Sequence, residues 1–386
     1  MGIIVGIASC VGNMRAVATA PVEVEPTGIM TFADPAMQAL CAKTWGDGTN
    51  ITYEQARAVT EIPNYWADRN TKITSFDEIK YFKNCTSIGQ NAFSNCTSLA
   101  LTSLELPKCT SIGAAAFQEC RSMKLTSLKL PQCTTIGGNA FNGCSSMALT
   151  KLELPQCTTI GHLAFQGCSS MALTSLELPQ CRTIGSECFA STKGIGKLNW
   201  GELAKNVVNE GFRNIKGIGI PIVNIPNITA WFESTFGYVN ASPAIYSHNL
   251  CQNDVPMPDV VIPEGCTKIG QKTLCYLHLN SLSIPETVTS IGDFNQYALQ
   301  LPVFDIPSSV NKIGQYVIGG NYDSNVKNVP IVICRATTPP RLGTVKANNG
   351  THQAIYVPDE SVEAYKTATN WNAFADIILP LSQFNG

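Results

Sequence analysis

Two sets of cysteines recur at one fixed spacing, and they are the most chemically versatile side chains in the chain. Thiols at regular spacings could form disulfides or bind zinc. No C-x-x-C pair occurs, so zinc binding and thioredoxin-type chemistry have no support. The two sets are Cys85, Cys109, Cys133, Cys157 and Cys181, and Cys96, Cys120, Cys144 and Cys168.

Disulfides are also disfavoured by this spacing. Equivalent residues of stacked coils lie about 4.8 Å apart with parallel side chains, which do not point toward each other. A column of five cysteines also cannot pair off completely. We therefore expect the cysteines of both columns to be small buried side chains with free thiols. A chain with 16 cysteines, rich in unpaired thiols, is expected to fold in a reducing compartment.

Neither the histidines nor any known catalytic motif indicates an enzyme. His162, His248, His278 and His352 share no motif, and no G-x-S-x-G, P-loop or H-E-x-x-H is present. His162 stands at a repeat position whose other residues vary. We expect no catalytic residue, no metal site and no cofactor.

Charged residues form a column that could contact a ligand. Glu105, Lys129, Glu153 and Glu177 recur at one outward position, and Lys151 stands in a second column with three serines. Opposite charges next to each other stabilise a ladder by about 0.2–1 kcal/mol. Glu153 and Glu177 are like charges and fit that structural role less well. They are therefore candidate ligand-binding residues, together with Lys151.

An aromatic segment from residue 200 to residue 246 interrupts the regular pattern, and a break in an array is often where a binding feature is inserted. Exposed rings could stack on sugars or anchor a protein partner. Trp231, Tyr238 and Tyr246 are candidate ligand contacts on this reasoning. The alternative is that Trp231, Phe232 and their neighbours fill the core where leucines are missing.

These side chains are positioned by a repeated unit. Ile-Gly pairs begin at positions 88, 112, 136, 160 and 184, and the surrounding apolar positions recur with the same period. Each unit contains L-T-S-L-E-L-P, a short strand with Leu104 and Leu106 inward, followed by a tight Ala-Phe turn. Such units bury their apolar faces only by stacking. We predict an α/β solenoid of leucine-rich coils of roughly 22–24 residues, about ten in number.

The pattern divides the chain into six segments. They are an extended N-terminal arm (1–30), a helical N-terminal cap (31–84), regular 24-residue repeats (85–189), degenerate repeats with the aromatic insertion (190–261), 22-residue repeats (262–328) and a C-terminal cap (329–386).

Short helices are predicted in both caps. Asp34-Pro35 is an N-cap with proline in the first turn, and Thr52 to Gln55 is a capping box. Ser75 to Glu78 is predicted to cap a further helix, and Asp359 a helix through Tyr365 and Lys366.

Composition restricts the partners. Only 14% of residues are charged and the net charge is −2, so nucleic acid is an unexpected partner. No run of 18 apolar residues predicts a membrane-spanning helix. Met1 to Ala8 is apolar but short, which disfavours a secretory signal, although Ile7 to Cys10 is similar to a lipoprotein cleavage box.

Together these motifs resemble the BspA-like leucine-rich repeat family of gut and oral anaerobes. The resemblance rests on the I-G-x-x-A-F-x-x-C-x-x-L repeats, on Phe32 to Pro35, and on Ile355 to Pro358 with Tyr365-Lys366. It implies surface or adhesion proteins without catalytic activity, and also structural proteins of bacteriophages. Relatives often carry a calcium-loop-like stretch between the first helices. Here only Asp47, Asn50 and Glu54 could ligate, so a plain turn is expected.

Two functional interpretations follow. The first is a non-enzymatic recognition protein displayed on a phage particle as a fibre or decoration protein, which binds host glycan or protein through the repeats; its alternative is a bacterial cell-surface adhesin. The second is a purely structural virion component. In the virion interpretations residues 1–30 dock onto other virion or surface proteins, in a possible homo-oligomer. The sequence leaves the ligand, the oligomeric state and the displaying particle open.

Overall fold

The computed structural model is a parallel β-solenoid of about 11 turns with leucine-rich-repeat character. This confirms the predicted fold class. The structure describes residues 25–385 except 201–205, 208–211, 213–214, 216–219, 226, 237–242, 294, 296–298, 319–328 and 346–351.

Each regular coil contributes one very short strand at the Ile-Gly corner and a second strand at the L-x-L segment. The strands of the first half are β1 (Glu61–Ile62), β2 (Ser87–Ile88), β3 (Ser103–Glu105), β4 (Ser111–Ile112), β5 (Ser127–Lys129), β6 (Thr135–Ile136), β7 (Lys151–Glu153), β8 (Thr159–Ile160), β9 (Ala172–Leu173), β10 (Ser175–Leu178), β11 (Thr183–Ile184), β12 (Gly194–Ile195), β13 (Lys197–Trp200) and β14 (Asn206–Val207).

The second half continues the same alternation around an irregular middle. Its strands are β15 (Ile222–Asn224), β16 (Thr235–Phe236), β17 (Cys251–Gln252), β18 (Val255–Pro256), β19 (Asp259–Val261), β20 (Lys268–Ile269), β21 (Ser281–Ser283), β22 (Ser290–Ile291), β23 (Val303–Ile306), β24 (Lys312–Ile313), β25 (Ile331–Cys334), β26 (Arg341–Leu342), β27 (Ala354–Val357) and β28 (Ile378–Pro380).

The Ile-Gly strands form one parallel ladder in the order β1-β2-β4-β6-β8-β11-β14-β16, and a second ladder in the order β20-β22-β24-β26. Ile112 pairs with Ile136 in the first ladder, and Ile291 pairs with Ile313 in the second, where the period is shorter. The shortened period therefore keeps the same corner, as the sequence predicts.

The L-x-L strands form the other side of the coils. Strands β3 and β5 pair with each other, followed by a sheet in the order β7-β10-β13-β15-β17-β18. Strand β18 folds back antiparallel on β17, and parallel pairing resumes between β19 and β21. Leu104 and Leu106 are fully buried, whereas Ser103 and Glu105 are partly exposed. The predicted alternation is confirmed.

Glycine at each corner is required by the closeness of the coils. A Cβ atom on Gly137 would lie 2.5 Å from the backbone nitrogen of Ala114 in the preceding coil. The Ala-Phe step that follows is a tight hydrogen-bonded turn with Asn139 in the left-handed conformation (φ 58°).

The core consists of columns of identical side chains. Six phenylalanine rings stack nearly parallel with centroids 5.0–5.7 Å apart: Phe93, Phe117, Phe141, Phe165, Phe189 and Phe212. Phe212 continues the column of Phe189, so this one ring of the irregular segment occupies the phenylalanine position of the repeat.

The N-terminal helices are α1 (Pro35–Trp45) and α2 (Tyr53–Ala58), with the predicted Asp34 cap and Thr52 capping box. The buried Asp34 carboxylate also accepts hydrogen bonds from the backbone and hydroxyl of Thr74 and from the backbone of Ser75. It thereby ties the start of α1 to residues 74–75 of the same cap.

The predicted capping role of Ser75 is wrong. The following 3₁₀ helix, Asp77–Tyr81, has Phe76 at its N-cap and no side-chain cap. The hydroxyl-bearing residue lies one position too early, and its backbone N–H is already bonded to Asp34.

Residues 26–30 of the expected arm contact the body of the protein. Ile29 forms an antiparallel bridge with Thr52, Met30 is buried, and the Arg57 guanidinium donates to the Pro26 carbonyl. Residues 1–24, including the cleavage-box-like Cys10, lie outside the described residues.

Helices α3 (Ile228–Glu233) and α4 (Ala244–Ser247) lie in the irregular middle, and α5 (Val362–Thr367) lies in the C-terminal unit. Strands β25 and β27 lie in the same C-terminal unit. Asp359 does not cap α5, because its carboxylate accepts the Ser382 N–H and the helix begins after a separate 3₁₀ turn.

Candidate binding surface

The outward side chains of β5, β7 and β10 form a charged surface, the strand face, which comprises Lys129, Lys151, Glu153 and Glu177 together with Glu105 of β3. The fold places them together because each inward leucine directs its neighbours to solvent. Glu177 pairs in register with Glu153, and Ser175 with Lys151. Three of the six predicted ligand residues therefore share one patch.

Ion pairs neutralise most of this patch. Lys129 Nζ lies 2.8 Å from Glu105 Oε1 across two strands, and Lys151 Nζ lies 2.5 Å from Glu153 Oε1 within one strand. The pKa of Lys151 is raised, chiefly by its hydrogen bond and charge interaction with Glu153 and less by Glu177. All four paired side chains remain substantially exposed, so their donors and acceptors are accessible to a ligand.

Glu177 is the exception on the strand face. Among the residues that the structure describes, it has no ion-pair partner, and its register neighbours are Glu153 and Asn199. A carboxylate between a like charge and a neutral amide is free to accept from a ligand. Glu177 therefore remains a candidate ligand-binding residue, whereas Glu153 forms an ion pair with Lys151.

The aromatic candidates lie elsewhere. Trp231 is completely buried in α3, and its indole N–H donates to the Thr273 carbonyl at 3.1 Å. The proposal of Trp231 as a ligand contact is therefore wrong, because the ring fills the core where the leucine pattern fails. Tyr238 lies outside the described residues.

Tyr246 is half-buried, and its hydroxyl donates to the Phe212 carbonyl at 2.8 Å while accepting from the Ile215 N–H at 3.2 Å. Burial raises the pKa of this hydroxyl. With its polar end engaged internally, Tyr246 ties the irregular segment to the core.

The cysteine columns are buried, and all 15 cysteines of the described part of the chain are free. The Cys144 thiol donates to the Phe117 carbonyl at 3.1 Å, and the same bond recurs from Cys120 and Cys168 one coil away. Burial, and secondarily the neighbouring thiols, raises the pKa of Cys109 to about 12. These thiols are core side chains with suppressed reactivity.

A groove at the start of the strand face is not predicted by the sequence. We call it the first-coil groove; it has a volume of about 680 Å³. It is lined by Glu25, Pro26, Lys80, Tyr81, Lys83, Glu105, Leu106, Pro107, Lys129 and Pro131. The repeat period places Lys129 beside Glu105, but it gives no signal for the approach of residues 25–26 and 80–83, which lie outside the repeats.

Neither calcium binding nor another metal site is supported by the described residues. The Asp47 carboxylate accepts from the Thr49 and Asn50 N–H groups at 2.8 and 2.6 Å, which closes the loop between α1 and α2 as a turn. Within the described ranges, no group of three His, Cys, Asp or Glu side chains is arranged to hold a metal. No described helix is long and apolar enough to cross a membrane.

The family model for the BspA type leucine rich repeat region matches residues 98–219 and 245–331 in 6 copies, more than half of the chain. The chain belongs to the BspA type leucine rich repeat family. This confirms the resemblance drawn from the repeats. No curated protein matches this BspA type chain in sequence.

Several solved structures are similar to this BspA type chain. A leucine rich cell surface protein of Faecalibacterium prausnitzii is 18% identical with a TM-score of 0.37, over 82% of this chain and 85% of that chain. A leucine-rich repeat protein of Bacteroides ovatus is 19% identical with a TM-score of 0.38, over 66% and 63%. The pneumococcal vaccine antigen PcpA is 13% identical with a TM-score of 0.36, over 78% and 82%. Similarities of this size transfer no ligand to the present chain.

Proposed function

We propose that this protein is a non-enzymatic recognition protein that binds a glycan or a protein of a host surface through its strand face. The observation that carries the proposal is the Glu177 carboxylate, which has no ion-pair partner among the described residues, beside the exposed Lys151–Glu153 pair on a parallel sheet. Binding constellations are most precise when they stand on regular elements and not on loops. Polar side chains in register at one strand spacing can contact successive units of an extended partner.

The test is binding of the purified full chain to candidate host cells or to their isolated surface polysaccharide. Replacing Glu177 and Glu153 by glutamine should weaken binding severalfold, because the acceptors lose charge while size and fold are kept. The matched control is Glu264→Gln, an exposed glutamate in the turn after β19. If the variant with glutamine at positions 177 and 153 binds as strongly as the Glu264→Gln control, the strand face has no role in binding.

We further propose display on a phage particle as a fibre or decoration protein. The free, buried cysteines support this, because export through an oxidising compartment would expose nascent thiols to oxidation, whereas a phage protein folds in the host cytoplasm and reaches the outside by assembly and lysis. In this proposal the segment before residue 25 docks onto other virion proteins.

Two experiments separate this proposal from its alternatives. Deletion of residues 2–24 should abolish incorporation into particles and leave thermal unfolding nearly unchanged, since the pairing of residues 26–30 with the body is retained. Mass spectrometry of the N-terminus of the native protein tests the second candidate, a bacterial cell-surface adhesin, as the family resemblance implies. A lipid on Cys10 would establish the adhesin and exclude the virion. Assembly into particles without any host binding would leave a purely structural virion role.

A further inference from the structure

The first-coil groove contains more cations than carboxylates, and each carboxylate is already bound. Glu25 contacts Lys83 and also lies 3.6 Å from the Arg57 guanidinium, and Glu105 is paired with Lys129 at 2.8 Å. Lys80 has no ion-pair partner among the described residues. Both carboxylate charges of the groove are therefore paired with cations.

Donors remain available in the same groove. Each lysine ammonium has three donors, and the contacts above use one of them on Lys83 and one on Lys129. The Lys80 ammonium lies 5.2 Å from the centroid of the Tyr81 ring, so a positive charge is held beside an aromatic surface. A ligand that fits this groove must supply negative charge or many acceptor oxygens.

The apolar walls distinguish among anionic ligands. The groove is bordered by Tyr81 and by Pro26, Pro107 and Pro131. Proline has no backbone N–H, so an extended acidic peptide would find few backbone donors for its carbonyl groups along these borders. A sugar ring packs against such apolar surfaces through its C–H groups and needs no backbone donors. The volume of about 680 Å³ lies in the usual range of small-ligand sites.

We infer that the first-coil groove binds an acidic polysaccharide, with a uronic-acid carboxylate at Lys80 and the sugar ring against Tyr81 and the prolines. This inference rests on the proposed recognition function and names its ligand class. The groove adjoins the strand face at Glu105 and Lys129. Lys80 is then a specificity-determining residue for the anion.

The experiment is calorimetric titration of the full chain with tetragalacturonate and with a neutral tetrasaccharide of galactose. We expect the acidic ligand to bind and the neutral one to bind at least tenfold more weakly. Lys80→Gln should weaken tetragalacturonate binding about three- to fivefold, the scale of one exposed charge pair. Lys124→Gln removes an exposed lysine outside the groove lining and should change nothing.

A second variant changes binding in the opposite direction. Glu105→Gln releases Lys129 and removes one negative charge from the groove, so it should strengthen tetragalacturonate binding about three- to fivefold. A gain of affinity separates an electrostatic role from damage to the fold. Weaker binding by this variant would overturn the inference, because Glu105 would then itself accept from the ligand.

The remaining outcomes distinguish this inference from the proposed function. Tighter binding of a tetraglutamate peptide than of tetragalacturonate would overturn the glycan class. If host cells bind the full chain and tetragalacturonate does not compete, the groove inference fails and the recognition function stands. If the full chain binds neither host cells nor tetragalacturonate, both the groove inference and the recognition function fail.

Discussion

Truncation of Phe141 to alanine should be among the most costly substitutions in this core. The ring is fully buried and stacks between Phe117 and Phe165, with both centroid distances 5.3 Å. Phenylalanine-to-alanine changes in cores cost about 3–5 kcal/mol, and the cost rises with the cavity that remains. Here the coils cannot move closer together to fill the cavity, because their backbones already touch at the Ile-Gly corners. A Cβ atom on Gly137 or Gly161 would lie within 2.6 Å of the preceding coil. We therefore expect a loss of about 5 kcal/mol, at the upper end of that range.

The effect should also change cooperativity. In a solenoid each coil contacts its two neighbours, so a weakened coil divides the array. Equilibrium urea unfolding followed by circular dichroism should show a lower midpoint and a smaller m-value for Phe141→Ala. Phe141→Leu, which keeps most of the volume, should lose only about 1–1.5 kcal/mol and keep the m-value. A loss below about 1.5 kcal/mol in the alanine variant would show that the coils close around the gap and would refute the reasoning.

Three further predictions concern the corners, the thiols and the first cap. Gly137→Ala should destabilise the protein by at least about 2 kcal/mol because its Cβ would meet the Ala114 backbone at 2.5 Å, whereas Gly265→Ala, with nothing within 4 Å, should be neutral or slightly stabilising in thermal melts. Thiol counting in denaturant without reductant should find nearly all 16 cysteines free, and alkylation of the folded protein should be slow; a count near zero would refute free thiols. Asp34→Asn should lower stability at neutral pH by about 1–3 kcal/mol and flatten its acid dependence. Burial alone would raise the pKa of Asp34, but hydrogen bonds from Thr74, Met37 and Ser75 outweigh it and lower the pKa. A carboxyl group whose pKa is lowered in the folded state stabilises the folded protein at pH values above the unfolded-state pKa of about 3.9. This contribution is lost as the pH falls through the folded-state pKa. Thermal melts that show equal acid sensitivity in the Asp34→Asn variant and the unmodified protein would therefore contradict the assignment.

The sequence by itself determined the repeating architecture. Because equivalent residues of stacked coils occupy equivalent positions, the period alone places Phe141 above Phe117, Cys144 next to Cys120, and Glu177 beside Glu153. The inward leucines and outward charges follow from the two-residue alternation of a strand. Each of these relations depends on residues at a fixed separation, which is why a single sequence is sufficient to predict them.

Only the tertiary structure determines the contacts between segments that do not share the repeat period. Trp231 is buried because the irregular segment folds its helix onto Thr273, 42 residues away, and no local pattern distinguishes that ring from an exposed one. The first-coil groove likewise combines Glu25 and Lys80 with Lys129. These residues belong to segments of unrelated pattern, and their approach depends on how the N-terminal chain packs across the first coils. Packing between dissimilar segments has no periodic signature, so the candidate ligand groove could be located only in three dimensions.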